Sequence, residues 1–128
     1  MKTYLRAMIL FLAMNSFAIA SPTNIEGAYI CKSIEIGSHQ LYTADAILKK
    51  TGEVYSVDSK FNDGSTYHGT GIYDPKKHVL AIVAINPNNP DETGVSIDDV
   101  HANGSIEGKW TYLGKTEIGK ITCIKRSV

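Results

Sequence analysis

The feature of this sequence that most constrains its fold is a series of short strand-like runs separated by tight-turn residues. The separators include KTGE, NDGS, DPKK and ANGS, in which Gly, Asn and Asp favour the backbone conformations of tight turns. No run shows the period of a helix. We predict eight strands, over 26–36, 40–50, 53–61, 65–74, 77–85, 94–101, 105–113 and 118–126.

One separator, NPNNPDET, is longer than the others. It contains Pro87 and Pro90, and proline cannot donate a hydrogen bond to a neighbouring strand. We therefore predict that this segment forms a loop outside the sheet. If the protein recognises another protein, this loop and the nearby turns are the expected contact surface, because loops on a rigid scaffold commonly carry recognition.

The positions of the two cysteines indicate how the strands are arranged. Cys31 lies in the first predicted strand and Cys123 in the last. Short connections favour antiparallel pairing of consecutive strands, and a closed barrel would place the first strand beside the last. A disulfide between the two cysteines would then join the seam. A catalytic thiol and half of a metal site are the competing interpretations. The predicted fold is all-β, an eight-stranded antiparallel up-and-down barrel, with a two-sheet β-sandwich as the alternative.

Alternation within the predicted strands indicates which faces are apolar. In the first strand Ala28, Ile30, Ile34 and Ile36 share one apolar face, which we expect to point inward. The fifth strand, VLAIVAI, is apolar on both faces, so we expect its outer face to be partly covered. In the seventh strand Gly108 shares a face with the large residue Trp110.

The start of the chain has the composition of a secretory signal peptide. It combines a basic beginning, an apolar run over 7–14 and a small-residue cleavage pattern ending at Ala20. The apolar run is too short to cross a bilayer, so we expect no membrane insertion. We predict a signal peptide over 1–20 and a single domain over 21–128. The expected location is secreted or periplasmic, where disulfides persist.

The charge balance excludes two classes of partner. The chain has 13 basic and 13 acidic residues, and the predicted signal peptide contains Lys2 and Arg6. Removing it leaves 11 basic and 13 acidic residues, a net charge of −2. A near-neutral domain lacks the basic surface through which proteins bind nucleic acids and anionic membranes. A small-molecule ligand or a protein partner remains.

The sequence contains no recognisable catalytic or metal-binding constellation. The nucleophile motif G-x-S-x-G is absent. His39 and His78 fall at turns, and His68 could meet His101 only across the interior, because their predicted strands are not neighbours. Asp99 and His101 share a strand face, but two ligands are too few for a metal site. We therefore predict that the protein is not an enzyme and that it has no cofactor and no metal.

The strongest candidate site is a set of aromatic residues and glycines that alternate along two predicted strands. Aromatic side chains with glycines between them can line a small-molecule pocket. Filling of a tapered barrel core is the structural alternative, in which glycine lets a strand coil sharply beside a large neighbour. The predicted ligand-binding residues are Tyr67, Gly69, Gly71, Tyr73, Trp110 and Tyr112.

An ordered series of motifs, GAYIC, YHGTGIYD, VLAIVAI and GSIEGKW, runs through the domain. This series resembles small exported bacterial barrel domains of lipocalin-like or avidin-like type, over nearly all of 21–128. The resemblance implies a barrel that binds a ligand. The resemblance does not imply biotin binding, because avidins surround biotin with several tryptophans and Trp110 is the only tryptophan in this sequence. The segment Gly27-Ala28-Tyr29 stands where lipocalins have G-x-W.

These observations lead to two expected functions. The first is an exported non-catalytic binding module that holds a small apolar or amphiphilic ligand at the barrel mouth. The alternative is a protein-recognition module, such as an inhibitor or a host-contact protein, that acts through its loops.

Overall fold

The computed structural model describes residues 22–35 and 38–127, and all of their regular structure is β-strand. The predicted signal peptide lies outside these residues. Within them there is no helix of the length and apolarity that a membrane crossing requires. The strands are β1 (Gly27–Ile34), β2 (Leu41–Thr51), β3 (Val54–Phe61), β4 (Thr66–Asp74), β5 (Val79–Asn86), β6 (Asn89–Val100), β7 (Ile106–Tyr112) and β8 (Gly119–Lys125).

The sheet closes on itself. Each strand pairs antiparallel with the next, and β8 pairs with β1, which confirms the up-and-down barrel and excludes the two-sheet sandwich. Closure leaves the eight described strands with no unpaired sheet edge for another chain to join. Cys31 lies directly opposite Cys123 across the β1–β8 seam, and the two sulfurs are bonded. The predicted disulfide is confirmed.

Two of the hairpin turns use the same local chemistry. The Asp63 side chain accepts hydrogen bonds from the backbone N–H and the hydroxyl of Ser65, at 2.9 and 2.6 Å. Asn103 accepts the same pair from Ser105, at 2.9 and 2.7 Å. The glycine inside each turn has φ of 87° or 86°, a left-handed conformation that favours glycine. The turn sequences NDGS and ANGS therefore act as equivalent hairpin connections.

The segment NPNNPDET does not form the predicted loop. A two-residue turn at 87–88 joins β5 to β6, and β6 begins directly after it. The register shifts between Ile85 and Asn86, which leaves 90–92 as a bulge on β6. A residue in a bulge donates no ladder hydrogen bond, so Pro90 is accommodated inside a strand. The prediction of a long loop here was wrong, and the turn offers a smaller surface for recognition.

The inward face of β1 is the opposite of the one that its aliphatic residues indicate. Tyr29, Cys31 and Ser33 point inward and are buried, whereas Ile30 and Ile34 are each 43% exposed. The disulfide places Cys31 inside the barrel, and strand residues alternate between faces. The isoleucines are therefore directed outward.

A short segment before β1, which we call the plug (22–26), closes one end of the barrel. Ile25 is buried, and its carbonyl oxygen accepts a hydrogen bond from the Tyr29 hydroxyl at 2.7 Å. The Ile25 N–H donates to the Tyr55 hydroxyl at 3.4 Å. The Tyr73 hydroxyl donates to the first carbonyl of the plug at 2.6 Å. Three inward tyrosines thus hold the plug in place.

The outer surface of β4 to β6 is apolar. Ile72 and Ile97 lie on either side of Ala81 in the sheet register and are 64% and 62% exposed. Val83, farther along β5, is 54% exposed. No other element of the described chain covers this surface, so the expected partial covering of the outer face of β5 is not found within 22–35 and 38–127.

Candidate functional site

The barrel encloses a cavity of about 370 Å³ that opens at the end opposite the plug. All eight strands contribute inward residues to its walls. Its deep part is apolar and includes Leu48, Val57, Leu80 and Ile106, all buried. A volume of this size lies within the range of small-molecule sites, roughly 300–1,000 Å³. The interior is therefore only partly filled by side chains.

A hydrogen-bonded chain of three side chains lies at the mouth. The Tyr67 hydroxyl donates to the Glu92 carboxylate at 2.6 Å and lies 2.9 Å from the Tyr112 hydroxyl. Because the single Tyr67 proton is directed at Glu92, Tyr112 is the donor to Tyr67. The Tyr67 bond, followed by that of the Asn86 amide, holds the pKa of Glu92 below its usual value. Glu92 belongs to the β6 bulge, which aims its side chain at the mouth.

Aromatic rings form much of the wall near the mouth. Phe61 meets Tyr67 edge to face at 5.5 Å between ring centroids, and Trp110 meets Tyr112 in the same way at 5.1 Å. The Trp110 indole lies against Gly119, where a Cβ would overlap the ring. The indole N–H is buried and has no acceptor among the described residues. The rings present apolar surface to the cavity.

Asp98 is a buried acid in the cavity wall. It points inward from β6 and is 3% exposed. The Ser96 hydroxyl donates to Asp98 Oδ2 at 2.9 Å, while Oδ1 accepts no hydrogen bond from the residues described. The carboxyl occupies the space over Gly108, where a Cβ would overlap Oδ1. Burial raises the pKa of Asp98 to about 6. Sequence reasoning missed this residue, although Gly108 opposite it was a usable signal.

The variant Asp98→Asn is expected to be more stable than the wild type at pH 7.5, by about 3 kcal/mol. The pKa of Asp98 rises from 3.8 to about 6 on folding, which corresponds to about 3 kcal/mol. Since the folded state binds the proton more tightly, this group destabilises the fold progressively as pH rises from about 4 through 6. The residues opposite it, Leu80 and Gly108, are uncharged, and the neighbouring Asp99 points outward.

Urea unfolding of both proteins at pH 4 and pH 7.5 measures this difference. Asp99→Asn is the matched control, because it removes the same charge from the exposed side of the same strand. The gain from Asp98→Asn should vanish at pH 4, and the control should show no comparable gain. Equal stability of wild type and Asp98→Asn at pH 7.5 would mean that the buried carboxyl is not destabilising.

Three of the six predicted ligand-binding residues line the cavity, namely Tyr67, Trp110 and Tyr112. Tyr73 lies at the opposite end of the barrel, where its ring meets Tyr55 edge-on at 6.4 Å and its hydroxyl binds the plug. Tyr73 therefore has a structural role, and we do not assign it a ligand contact.

Gly69 and Gly71 are also outside the cavity lining. A Cβ at Gly69 would overlap the carbonyl oxygen of Val83 and would lie 2.7 Å from Cα of Ala84. A Cβ at Gly71 would lie 3.1 Å from the Leu80 side chain. The space over both glycines is thus filled by β5. They allow two strands to approach closely and do not form the floor of a pocket.

The histidines do not assemble a site inside the barrel. His68 Nδ1 lies 2.6 Å from the Asp58 carboxylate, and His101 Nε2 lies 3.2 Å from the Glu107 carboxylate, with all four side chains exposed. Among the residues described, no group of three or more His, Cys, Asp or Glu side chains is placed to hold a metal ion.

No known protein family matches the sequence, and no curated protein is similar enough to count as a relative. The function is therefore argued from the cavity and its chemistry.

Proposed function

We propose that this protein is an exported, non-catalytic binding protein that holds a small apolar or amphiphilic ligand inside the barrel. The observation that carries the proposal is the cavity of about 370 Å³, which opens at the end of the barrel opposite the plug. Its deep walls are aliphatic, and a few polar groups are grouped at one side and at the mouth. Small-molecule sites commonly combine these two kinds of wall. Tyr67, Trp110 and Tyr112 are the proposed contacts at the mouth.

Export is supported by the disulfide between Cys31 and Cys123, since such bonds persist in oxidising compartments. It agrees with the signal peptide predicted over 1–20. The lipocalin-like or avidin-like character implied by the sequence motifs fits a closed barrel with a hollow interior. The non-catalytic assignment is supported by the placement of His68 and His101 on the outer surface, away from the cavity.

The uncharged dye N-phenyl-1-naphthylamine, whose emission rises in apolar surroundings, tests the proposal. We expect saturable binding of about one dye per barrel, with a parallel change in the emission of Trp110, which lies in the cavity wall. Titration at constant protein concentration measures both signals.

Two alanine variants locate the bound dye. Ala46→Phe places a ring inside the cavity, since Ala46 lines it, and should weaken dye binding about tenfold or more. Ala81→Phe adds the same ring to the exposed outer surface of β5 and should leave dye binding unchanged. Urea midpoints establish that both variants are folded. The proposal fails if the dye does not bind, or if only Ala81→Phe weakens it.

A protein-recognition function is the second candidate, and one observation favours it. The exposed apolar surface of β4 to β6, with Ile72 and Ile97 each more than 60% exposed, is a surface type common at interfaces between proteins. This surface lies outside the barrel. Loss of dye binding in Ala81→Phe but not in Ala46→Phe would therefore indicate that the dye binds to this outer surface and not in the cavity.

A further inference from the structure

The polar groups of the cavity have one sign of charge. Four carboxyl side chains line it, those of Glu35, Asp63, Glu92 and Asp98, and none of the described lining residues is Lys, Arg or His. Low-dielectric walls strengthen the field of such a set, so the cavity attracts cations and repels anions. An apolar cavity of this charge is poorly suited to a fatty acid or another anionic amphiphile.

Asp98 supplies a specific position for a cation. The carboxyl is buried and receives one protein hydrogen bond, from Ser96, which leaves Oδ1 without a donor among the described residues. Buried carboxylates are stable when they are paired with a cation or fully hydrogen-bonded. Its pKa of about 6 leaves the carboxyl largely ionised at pH 7.5. A ligand ammonium in the cavity would supply the opposite charge that this carboxylate lacks.

The neighbouring wall suits an ammonium group with an apolar body. Trp110 lies opposite Ser96 in the β6–β7 register, on the strand beside Asp98. Tryptophan and tyrosine faces attract cations as well as apolar groups. The aliphatic residues deeper in the barrel, among them Leu80 and Ile106, can cover a hydrocarbon chain or a ring.

The side chains at the mouth of the cavity also favour a cationic ligand. The Tyr67 proton is committed to Glu92 and the Tyr112 proton to Tyr67, so this chain presents hydrogen-bond acceptors to an incoming ligand. The bond from Tyr67 lowers the pKa of Glu92, and the bonds from Ser65 lower that of Asp63, so both are negative at neutral pH. A cation is therefore attracted at the entrance as well as at the interior acid.

We propose that the ligand of this barrel is an amphiphilic amine, bound with its ammonium group on the Asp98 carboxylate and its apolar part against the aliphatic and aromatic walls. The inference rests on the proposed function and names its ligand class. It accounts for two unusual features, an acid buried in an apolar cavity and a glycine at 108 that leaves room for it.

Competition with bound N-phenyl-1-naphthylamine at pH 7.5 tests the inference with octylamine, 1-octanol and octanoate. These three probes share one hydrocarbon chain and differ in charge. We expect octylamine to displace the dye at about tenfold lower concentration than octanol, and octanoate to be the weakest. If octanol displaces the dye at the same concentration as octylamine or at a lower one, the amine inference is overturned. Because the dye still binds in that case, the proposed function stands. If the dye itself does not bind, the proposed function fails.

The variants Asp98→Asn and Asp99→Asn decide whether the interior acid is responsible. Both remove one negative charge, but Asp98 lines the cavity and Asp99 is exposed. Asp98→Asn should reduce the preference for octylamine over octanol to within about twofold. Asp99→Asn should keep the wild-type preference. An unchanged preference in Asp98→Asn would overturn the assignment of the ammonium group to this residue.

Discussion

Replacing both cysteines, in the double variant Cys31→Ala/Cys123→Ala, is expected to lower the free energy of unfolding by about 4–5 kcal/mol. The disulfide joins residues 92 positions apart, so its loss releases almost the whole described chain from a closed loop in the unfolded state. Small domains are stable by only about 5–15 kcal/mol, so the variant should be close to the limit of folding at 25 °C.

Urea unfolding of the double variant and of the wild type, with and without dithiothreitol, measures this loss. The reduced wild type should match the variant, and reductant should leave the variant unchanged. The dependence of the unfolding free energy on urea should become steeper in the variant, because an unfolded chain without the cross-link exposes more surface. A variant within about 1 kcal/mol of the oxidised wild type would contradict the expectation, since the loop-closure contribution is several times larger.

The substitution Gly69→Ala is expected to destabilise the barrel by about 3 kcal/mol or more, at the upper end of the range for overpacking. The added methyl would overlap the carbonyl oxygen of Val83 and approach Cα of Ala84, which are backbone atoms. Backbone atoms cannot rotate away as a side chain can. The β4 and β5 strands would have to separate, with loss of hydrogen bonds between them.

Gly71→Ala is the matched control on the same face of the same strand. The nearest atom to its added methyl is Cδ1 of Leu80 at 3.1 Å, the end of a side chain that can shift. The lower entropy of the unfolded chain contributes about 0.4–1 kcal/mol in favour of alanine, so the net change should be within about 1 kcal/mol. Thermal or urea unfolding of the two variants compares them directly. Equal losses at 69 and 71 would show that close strand approach is not the reason for Gly69.

The barrel was predictable because its local signals agree with one long-range constraint. Turns such as NDGS and ANGS favour hairpins without help from the rest of the chain, which makes consecutive strands antiparallel neighbours. Cys31 and Cys123 then relate the first strand to the last. Agreement among independent signals is what makes a topology predictable from sequence.

The β5–β6 hairpin could not be predicted in the same way. Proline is excluded from positions that must donate a ladder hydrogen bond, but the sequence alone does not reveal which positions those are. Pro90 lies in a bulge, where no donor is required, and the register shift at Ile85 and Asn86 that creates the bulge depends on both neighbouring strands. The same shift aims Glu92 at the mouth, so the error concealed a residue of the site.

The interior acid was missed because two identical residues are adjacent. Asp98 is 3% exposed and Asp99 is on the opposite face, and only the strand register determines which of them points inward. The pairing of Asp98 with Gly108 was the available cue, because a glycine opposite an acid leaves space for a carboxyl. The face of β1 was misjudged for a related reason: apolar residues are common on barrel exteriors, and the disulfide settles the orientation.

The even number of strands determines how the protein can be presented to a ligand. An up-and-down barrel of eight strands returns the chain to the end at which it began, so the plug and the residues after β8 lie together. The backbone N–H of Arg126 indeed donates to the Ala28 carbonyl at 2.8 Å, beside the start of β1. Tethering the protein to a sensor surface through a residue following Arg126 would therefore direct the open mouth into solution and keep the ligand's entry path clear.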